Sequence, residues 1–251
     1  MLERSVTSEV LDGLGPDDPS ARRSRRDLRR VHRVMGTSGI LTRELGAVRT
    51  HVLVGRSPLR VLELGAGDGT LMLRVAQALT PRWPDVQLTL LDRLDLVDAP
   101  TRSGYAAIGW TATPRVADVL DWAKPDGSEA LALHGHEPAW DLIVANLFLH
   151  HFDTAELRVL LEAIARRCRA FVACEPRRSG FALGASRLIG AIGAGAVTRA
   201  DAVTSVRAGF RAAELSALWP GNDAAWSLTE RAAAGFSHCF RAERLTPAAA
   251  G

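Results

Sequence analysis

Residues 61–76 read VLELGAGDGTLMLRVA, an apolar strand that runs through three glycines into an amphipathic helix. Gly65, Gly67 and Gly69 fall where strand turns to helix. Glycine has no β-carbon and tolerates positive φ, so a ligand can lie directly on the backbone beside the helix N-terminus. Such a unit commits the chain to a parallel sheet covered by helices. It also narrows the ligand. A dinucleotide fingerprint needs its third glycine at position 70, where this chain has Thr70, so the fit to a dehydrogenase is imperfect. The next strand, LTLLD, ends in Asp92, 23 residues beyond Gly69. A carboxylate there can accept both hydroxyls of a ribose and would repel a 2′-phosphate.

Strand and helix patterns then alternate. Strands are expected at 60–64, 86–92, about 140–145 and 170–176, with a short one in RVADVLDW ending near Asp118. Helices are expected at 70–79 and 154–168, the second capped by Asp153 or Thr154, with a poor helix over 93–107. Ahead of this core, residues 1–20 carry Gly13, Gly15, Pro16 and Pro19 and read as loosely ordered. Two helices, about 20–35 and 40–54, follow as candidates for a lid, the first capped by Asp17, Asp18 or Ser20. After Arg178 the chain turns glycine-rich. It then suggests a helix over 201–218 broken at Gly209, and two closing strands at 226–231 and 237–244. The expected organisation is a helical extension over 1–55 and an α/β domain over 56–251, with a helical insertion at about 178–222.

The net charge of +3 hides an asymmetry. Residues 22–33 hold seven arginines and one aspartate, so this segment alone carries +6 and the rest about −3. Such a patch can contact phosphates. Leu28, Val31, Val34 and Met35 fall at helical spacing within and just beyond it, which fits a solvated helix face with one apolar stripe. Thirty arginines against the single Lys124 point to a bias of the whole chain. Cys168, Cys174 and Cys239 are scattered without a CxxC and read as reduced core thiols, with no metal site. The N-terminus lacks the apolar run of a signal peptide, and apolar stretches fall short of the roughly 18–20 residues that span a bilayer. The expectation is a cytoplasmic protein, a monomer or a homodimer.

ELGAGDG, LTLLD, VADVLDW and DLIVANLFLHHF, in this order, resemble the class I S-adenosylmethionine-dependent methyltransferases. The likeness covers residues 55–177 well and 200–245 loosely. It implies a Rossmann-like α/β fold: a seven-stranded, mostly parallel sheet with an antiparallel last strand and helices on both faces. It also implies S-adenosylmethionine as cofactor. Glu63, Gly65, Ala66 and Gly67 would hold its methionine end and Asp92 its ribose. Arg93 and Leu94 would border the adenine. Asp118 would accept from the adenine amino group, with Asp121 close by as an alternative, and Val119 would donate its backbone N–H. Asn146 and Leu147 would line the cleft near the sulfonium.

The acceptor is less defined. A phenol or enol that is not already ionised needs a base. NLFLHHF offers His150 and His151 directly after a strand, with His151 preferred because it lies farther past the strand end. Arg33, Glu175, Arg187, Arg207 and Phe210 are candidates to line the acceptor pocket, since arginines with aromatics suit a planar, hydroxylated or anionic ring. Each can equally be packing or surface charge. NLFLHH lacks the prolines of an amino-group DNA methylase, and no aromatics interleave with the arginines of 22–33, which argues against nucleic acid. SVRAGF, ELSALWP and HCFRAERL resemble actinobacterial methyltransferases of phenolic and polyketide compounds. The expectation is O-methylation of a small aromatic hydroxyl compound. The alternatives are C-methylation of a quinone or polyketide ring, and an RNA methyltransferase that uses the arginine segment.

Overall fold

The computed structural model describes residues 2–15, 17–49, 53, 57–124, 139–221 and 224–245. Seven strands form one sheet: β1 Leu59–Leu64, β2 Val86–Asp92, β3 Trp110–Val116, β4 Trp140–Asn146, β5 Cys168–Pro176, β6 Trp226–Ala233 and β7 Ser237–Arg244. Their order is β3-β2-β1-β4-β5-β7-β6, and β7 runs antiparallel to both its neighbours. Strand order therefore reverses between β1 and β4, and in open α/β sheets the crevice outside the strand ends at such a point receives the ligand.

Both faces of the sheet are covered, which is why its central strands are apolar almost throughout. Val61, Leu88, Leu90, Leu142, Val144 and Val172 face one layer, built on α2 (Thr37–Gly46), α3 (Thr70–Leu79) and α4 (Ala99–Ala106). Leu62, Leu64, Ile143, Ala145 and Phe171 face the other, built on α5 (Val119–Ala123), α6 (Thr154–Arg167) and α9 (Glu214–Leu218). Helix α6 starts where Asp153 accepts from Ala155 and Glu156, while Glu156 returns a bond to the Asp153 N–H, a complete capping box. Its Leu157, Leu160, Leu161 and Ile164 are fully buried. Each contributes roughly 1.5–3 kcal/mol of transfer free energy as an upper estimate.

The insertion between β5 and β6 holds α7 (Gly180–Leu188), a 3-10 turn at Ile189–Ile192, α8 (Ala196–Ala208) and α9. It returns to the sheet at Phe210, whose N–H bonds Pro176 O at 2.9 Å. Gly209 permits this approach, since a β-carbon there would lie 2.2 Å from that same carbonyl oxygen.

Several expectations shift. Residues 2–15 are tied down rather than loose: Ser5 N–H bonds Arg207 O, and Arg4 reaches both Ala208 O and Phe152 O. Helix α1 (Pro19–Val34) is capped by Asp18 but buries only Val31 of the expected stripe. Its buried positions are Ala21, Ser24, Asp27 and Val31, while Val34 is 70% exposed. The reason is its partner. α8 receives α1 through polar bonds, Ser24 to Thr198 and Asp27 to the Gly195 N–H, while Arg30 balances the Asp27 charge. α2 ends at Gly46, and residues 50–52 and 54 of the expected longer helix lie outside the described residues. β3 begins at Trp110 and stops at Val116, leaving Asp118 to cap α5. The three cysteines are buried and free, with Cys174 and Cys239 paired across β5 and β7 at 3.3 Å between sulfurs. Trp219 and Trp226 meet edge to face at 5.0 Å.

Candidate active site

The glycine turn after β1 has the backbone its sequence requires. Gly65, Gly67 and Gly69 take φ of +68°, +57° and +70°. Asp92, at the end of β2, accepts from Gly67 N–H at 2.8 Å and from Leu94 N–H at 3.0 Å, so one carboxylate pins both sides of the crevice. A β-carbon on Gly67 would meet nothing within 4 Å, so the cradle above it is open. At Gly65 it would strike the Phe148 ring at 2.2 Å.

Three carboxylates converge on this cradle. Asp68 caps the start of α3 through Thr70 N–H and takes Arg29 of α1 at 3.0 Å. Glu63 is buried, and its Oε2 has no hydrogen-bond partner among the described residues. Burial pushes the Glu63 carboxyl well above the usual carboxylate range, and the nearby charges of Asp92 and Asp68 add to this. A site of this kind asks for a cation with N–H donors. Asn146, at the end of neighbouring β4, also buries an unpartnered Oδ1. Arg93 and Leu94 are exposed beyond β2, and Ala66 N–H bonds Leu91 O at 3.1 Å. Asp118 spends one oxygen on Leu120 N–H, and Val119 is buried. Glu63, Ala66, Asp92, Asp118 and Asn146 thus stand at or just beyond the C-terminal ends of β1, β2, β3 and β4.

The other end is assembled around Glu175. Leu147 adopts φ of +51°, a conformation that costs a non-glycine residue about 1–2 kcal/mol. The turn it makes aims the N–H groups of Phe148, Leu149 and His150 at the buried Glu175 carboxylate, at 3.0, 2.9 and 3.3 Å. The same carboxylate takes His150 Nδ1 at 2.8 Å, which fixes the ring with Nε2 on the side away from β5. Glu9 Oε1 stands 3.4 Å from that Nε2. Burial would push the His150 imidazole down, but its bonds to Glu175 and Glu9 outweigh this and lift it to about 9. Burial likewise pushes Glu9 up, but the His150 bond and charge, His151 and the Ser205 hydroxyl hold it below the usual value. His151 is more open, with Nδ1 at 3.2 Å from Asp12, which also meets Arg93 at 3.3 Å. Glu9, His150 and His151 place one ligand-type atom each within 4.8 Å of one another, a spacing that could also hold a cation.

The other candidates scatter. Arg33 and Arg187 are exposed on α1 and α7, and Arg207 is exposed on α8. Phe210 is a core side chain, 1% exposed, beneath the Arg4 guanidinium at 4.7 Å. None of the four is gathered with His150 by a hydrogen bond or ring contact among the described residues. Of the arginine segment, Arg22, Arg23, Arg29 and Arg30 pair with Asp17, Asp27, Asp68 and Asp27. Sequence reasoning missed Glu9, Asp12 and Ser205. The only local signal was two acids three residues apart in a segment without apolar periodicity.

No protein-family model and no curated protein matches the chain. Solved structures do. The plantazolicin methyltransferase BpumL, in complex with SAH, aligns with a TM-score of 0.57 at 12% identity, over 91% of this chain and 92% of its own. BamL, a plantazolicin methyltransferase in complex with SAH and a triazolic desmethyl analogue, aligns at 0.50 and 16% identity, over 83% and 68%. A candidate O-methyltransferase from Nostoc punctiforme PCC 73102 aligns at 0.55 and 15% identity; it covers 96% of this chain, which spans only 64% of that longer one. The chain therefore has the seven-stranded fold of these methyltransferases. No helix among the described residues is long and apolar enough to cross a membrane.

Proposed function

We propose that the protein is an S-adenosylmethionine-dependent methyltransferase acting on a small-molecule acceptor, and that the methyl goes to an acidic oxygen of the phenol or enol type. The observation that carries the cofactor reading is the buried, unpartnered Glu63 Oε2 beside an open glycine cradle ringed by Asp68 and Asp92. A cofactor with an ammonium and a sulfonium answers that demand, whereas the pyrophosphate of a dinucleotide would add negative charge to three carboxylates. The methyltransferases of like fold, crystallised with SAH, support the same reading.

When bound, S-adenosylmethionine supplies a methyl group activated on a sulfonium. The chain's own residues do the rest. Glu63 and the 65–69 loop hold the amino-acid end, and Asp92 keeps a lone pair on each oxygen for the ribose hydroxyls. Arg93 and Leu94 border the adenine. Asp118 and Val119 meet its amino and ring nitrogens. Asn146 and Leu147 form the wall between cofactor and acceptor. Phe148 packs on Gly65 and helps exclude water, which favours displacement by a positioned acceptor over hydrolysis. In this reading His150, rather than His151, donates its Nε2–H to the acceptor's ionised oxygen, because Glu175 fixes its ring and the bonds to Glu175 and Glu9 keep the imidazole charged.

The test is incubation with methyl-deuterated S-adenosylmethionine and a cell extract split into small molecules, RNA and protein, beside Asp92→Ala and His150→Gln. Label on the oxygen of a small phenolic or enolic compound, lost in Asp92→Ala and reduced in His150→Gln, is expected. Label on a ring carbon would replace O- by C-methylation. Label on RNA or protein would overturn the acceptor class.

A further inference from the structure

The N-terminal strap, residues 2–13, crosses the strand ends where an acceptor has to sit. It is fastened at both ends and in the middle. Arg178 reaches Leu2 O at 3.1 Å, Ser5 N–H bonds Arg207 O, and Val10 and Leu11 N–H groups bond the Asp201 carboxylate at 2.7 and 3.1 Å. Between these anchors a single oxygen, Glu9 Oε1, is engaged by two groups at once: His150 Nε2 at 3.4 Å and the Ser205 hydroxyl of α8 in a closer contact. Such an arrangement is what an ionised oxygen needs in a partly buried place, one cationic N–H and one neutral O–H converging on it.

We propose that His150 Nε2 and Ser205 Oγ form an oxyanion subsite which the protein fills with its own Glu9 carboxylate, and that the external ligand of this subsite is a small organic acid whose ionised oxygen displaces Glu9. Ligand class follows from the donors. A carboxylate, phenolate or enolate matches both, whereas a neutral alcohol or amide leaves the charged ring poorly compensated once Glu9 has gone. Glu175 on β5 holds the opposite ring nitrogen and stays in place on exchange, so the subsite keeps its geometry while its occupant changes. His151 and Asp12 flank the position, and Asp201 tethers the strap through its carboxylate while its carbonyl, 2.9 Å from Ser205 Oγ, is the resting acceptor for that hydroxyl when the subsite is empty. That the ligand is the methyl acceptor rests on the methyltransferase reading. The subsite itself does not.

The experiment measures binding of benzoate and of benzyl alcohol by calorimetry to the full chain, to Glu9→Ala, to Glu9→Gln and to Glu9→Ala/Ser205→Ala, with SAH titrated separately into each. Benzoate is expected to bind Glu9→Ala about tenfold or more tighter than the unaltered chain. Glu9→Gln should fall between, the double variant should lose most of the gain, and benzyl alcohol should show no preference. Equal benzoate affinity in Glu9→Ala and the unaltered chain, or a gain that survives loss of Ser205, would overturn the subsite. Should Glu9→Ala not fold, Glu9→Gln decides alone, since an unaltered benzoate affinity there refutes the exchange. Failure of SAH to bind the unaltered chain would instead count against the cofactor reading and leave the subsite result standing.

Discussion

The two ends of the crevice are built by opposite kinds of sequence. The end proposed for the cofactor is local: Glu63, the glycine turn and Asp92 lie within one βαβ unit, and its defining bond, Gly67 to Asp92, spans 25 residues. The acceptor end is assembled from afar, with Glu9 meeting His150 across 141 residues and Ser205 across 196. Their electrostatics differ as well. The cradle gathers carboxylates and leaves one of them, Glu63, without a partner, whereas the acceptor wall sandwiches an imidazole between two carboxylates and satisfies all three. A local motif leaves a demand for a ligand, while the non-local wall already supplies a stand-in from its own chain.

The sharpest way to break this contrast is Asp92→Ala. It removes a charged acceptor from Gly67 and from the proposed ribose position together, and SAH affinity should fall about 100-fold or more by calorimetry. Under the same conditions Glu9→Ala should alter SAH affinity by no more than about threefold. Similar losses in both would mean that the two ends are not separable.

Next comes Glu175→Ala, which strands three backbone N–H groups and the charged His150 ring in a buried setting. Urea unfolding should show a loss of about 3–5 kcal/mol. A loss below about 1 kcal/mol would mean that water or a shifted loop satisfies these groups.

pH separates two histidines of opposite sign. His150 is raised from 6.5 to about 9, so its stabilising contribution is full below 6.5 and disappears as pH rises through 9. His32 is lowered from 6.5 to about 4, chiefly by burial, with Arg74 adding and Asp68 opposing; its contribution is present above 6.5 and lost as pH falls through 4. His150→Gln should flatten the stability curve between pH 6.5 and 9, by up to about 3 kcal/mol, and His32→Gln the limb between 4 and 6.5. Equal slopes in variant and parent would remove the charge assignments.

The smallest effect is expected for Gly67→Ala. Positive φ makes alanine cost about 1–2 kcal/mol in stability, and no neighbour clashes with the new methyl. Because the methyl projects into the open cradle, SAH affinity should fall further than stability does. An unchanged affinity would place the ligand elsewhere.

The sheet was largely legible in advance. Strands at 60–64, 86–92 and 237–244 stand within a residue of their expected limits, because apolar runs bounded by glycine, proline and polar turns carry their own period. β3 was harder, since WTATPRV mixes a proline and polar residues at an edge of the sheet, where one side of the strand lacks a partner. α1 showed its arginines and its cap but not its buried face. Ser24 and Asp27 turn inward only because Thr198 and Gly195 of α8 wait there, some 170 residues on. Residues 2–15 read as loose for the same reason: Gly13 and Gly15 are visible locally, while Asp201, Arg178 and Arg207 are not.

By itself, the sequence determined a glycine turn between strand and helix, an acid closing the second strand, and the alternation that makes a parallel sheet. These are local consequences of backbone freedom and hydrophobic period, each settled within a few tens of residues. Tertiary structure alone decided that Glu175 orients His150, that α8 brings Ser205 to the same place, and that the first residues of the chain come back to lay Glu9 between them. Those choices depend on hydrogen bonds between groups far apart in sequence, whose partners exist only once the sheet and its insertion have closed.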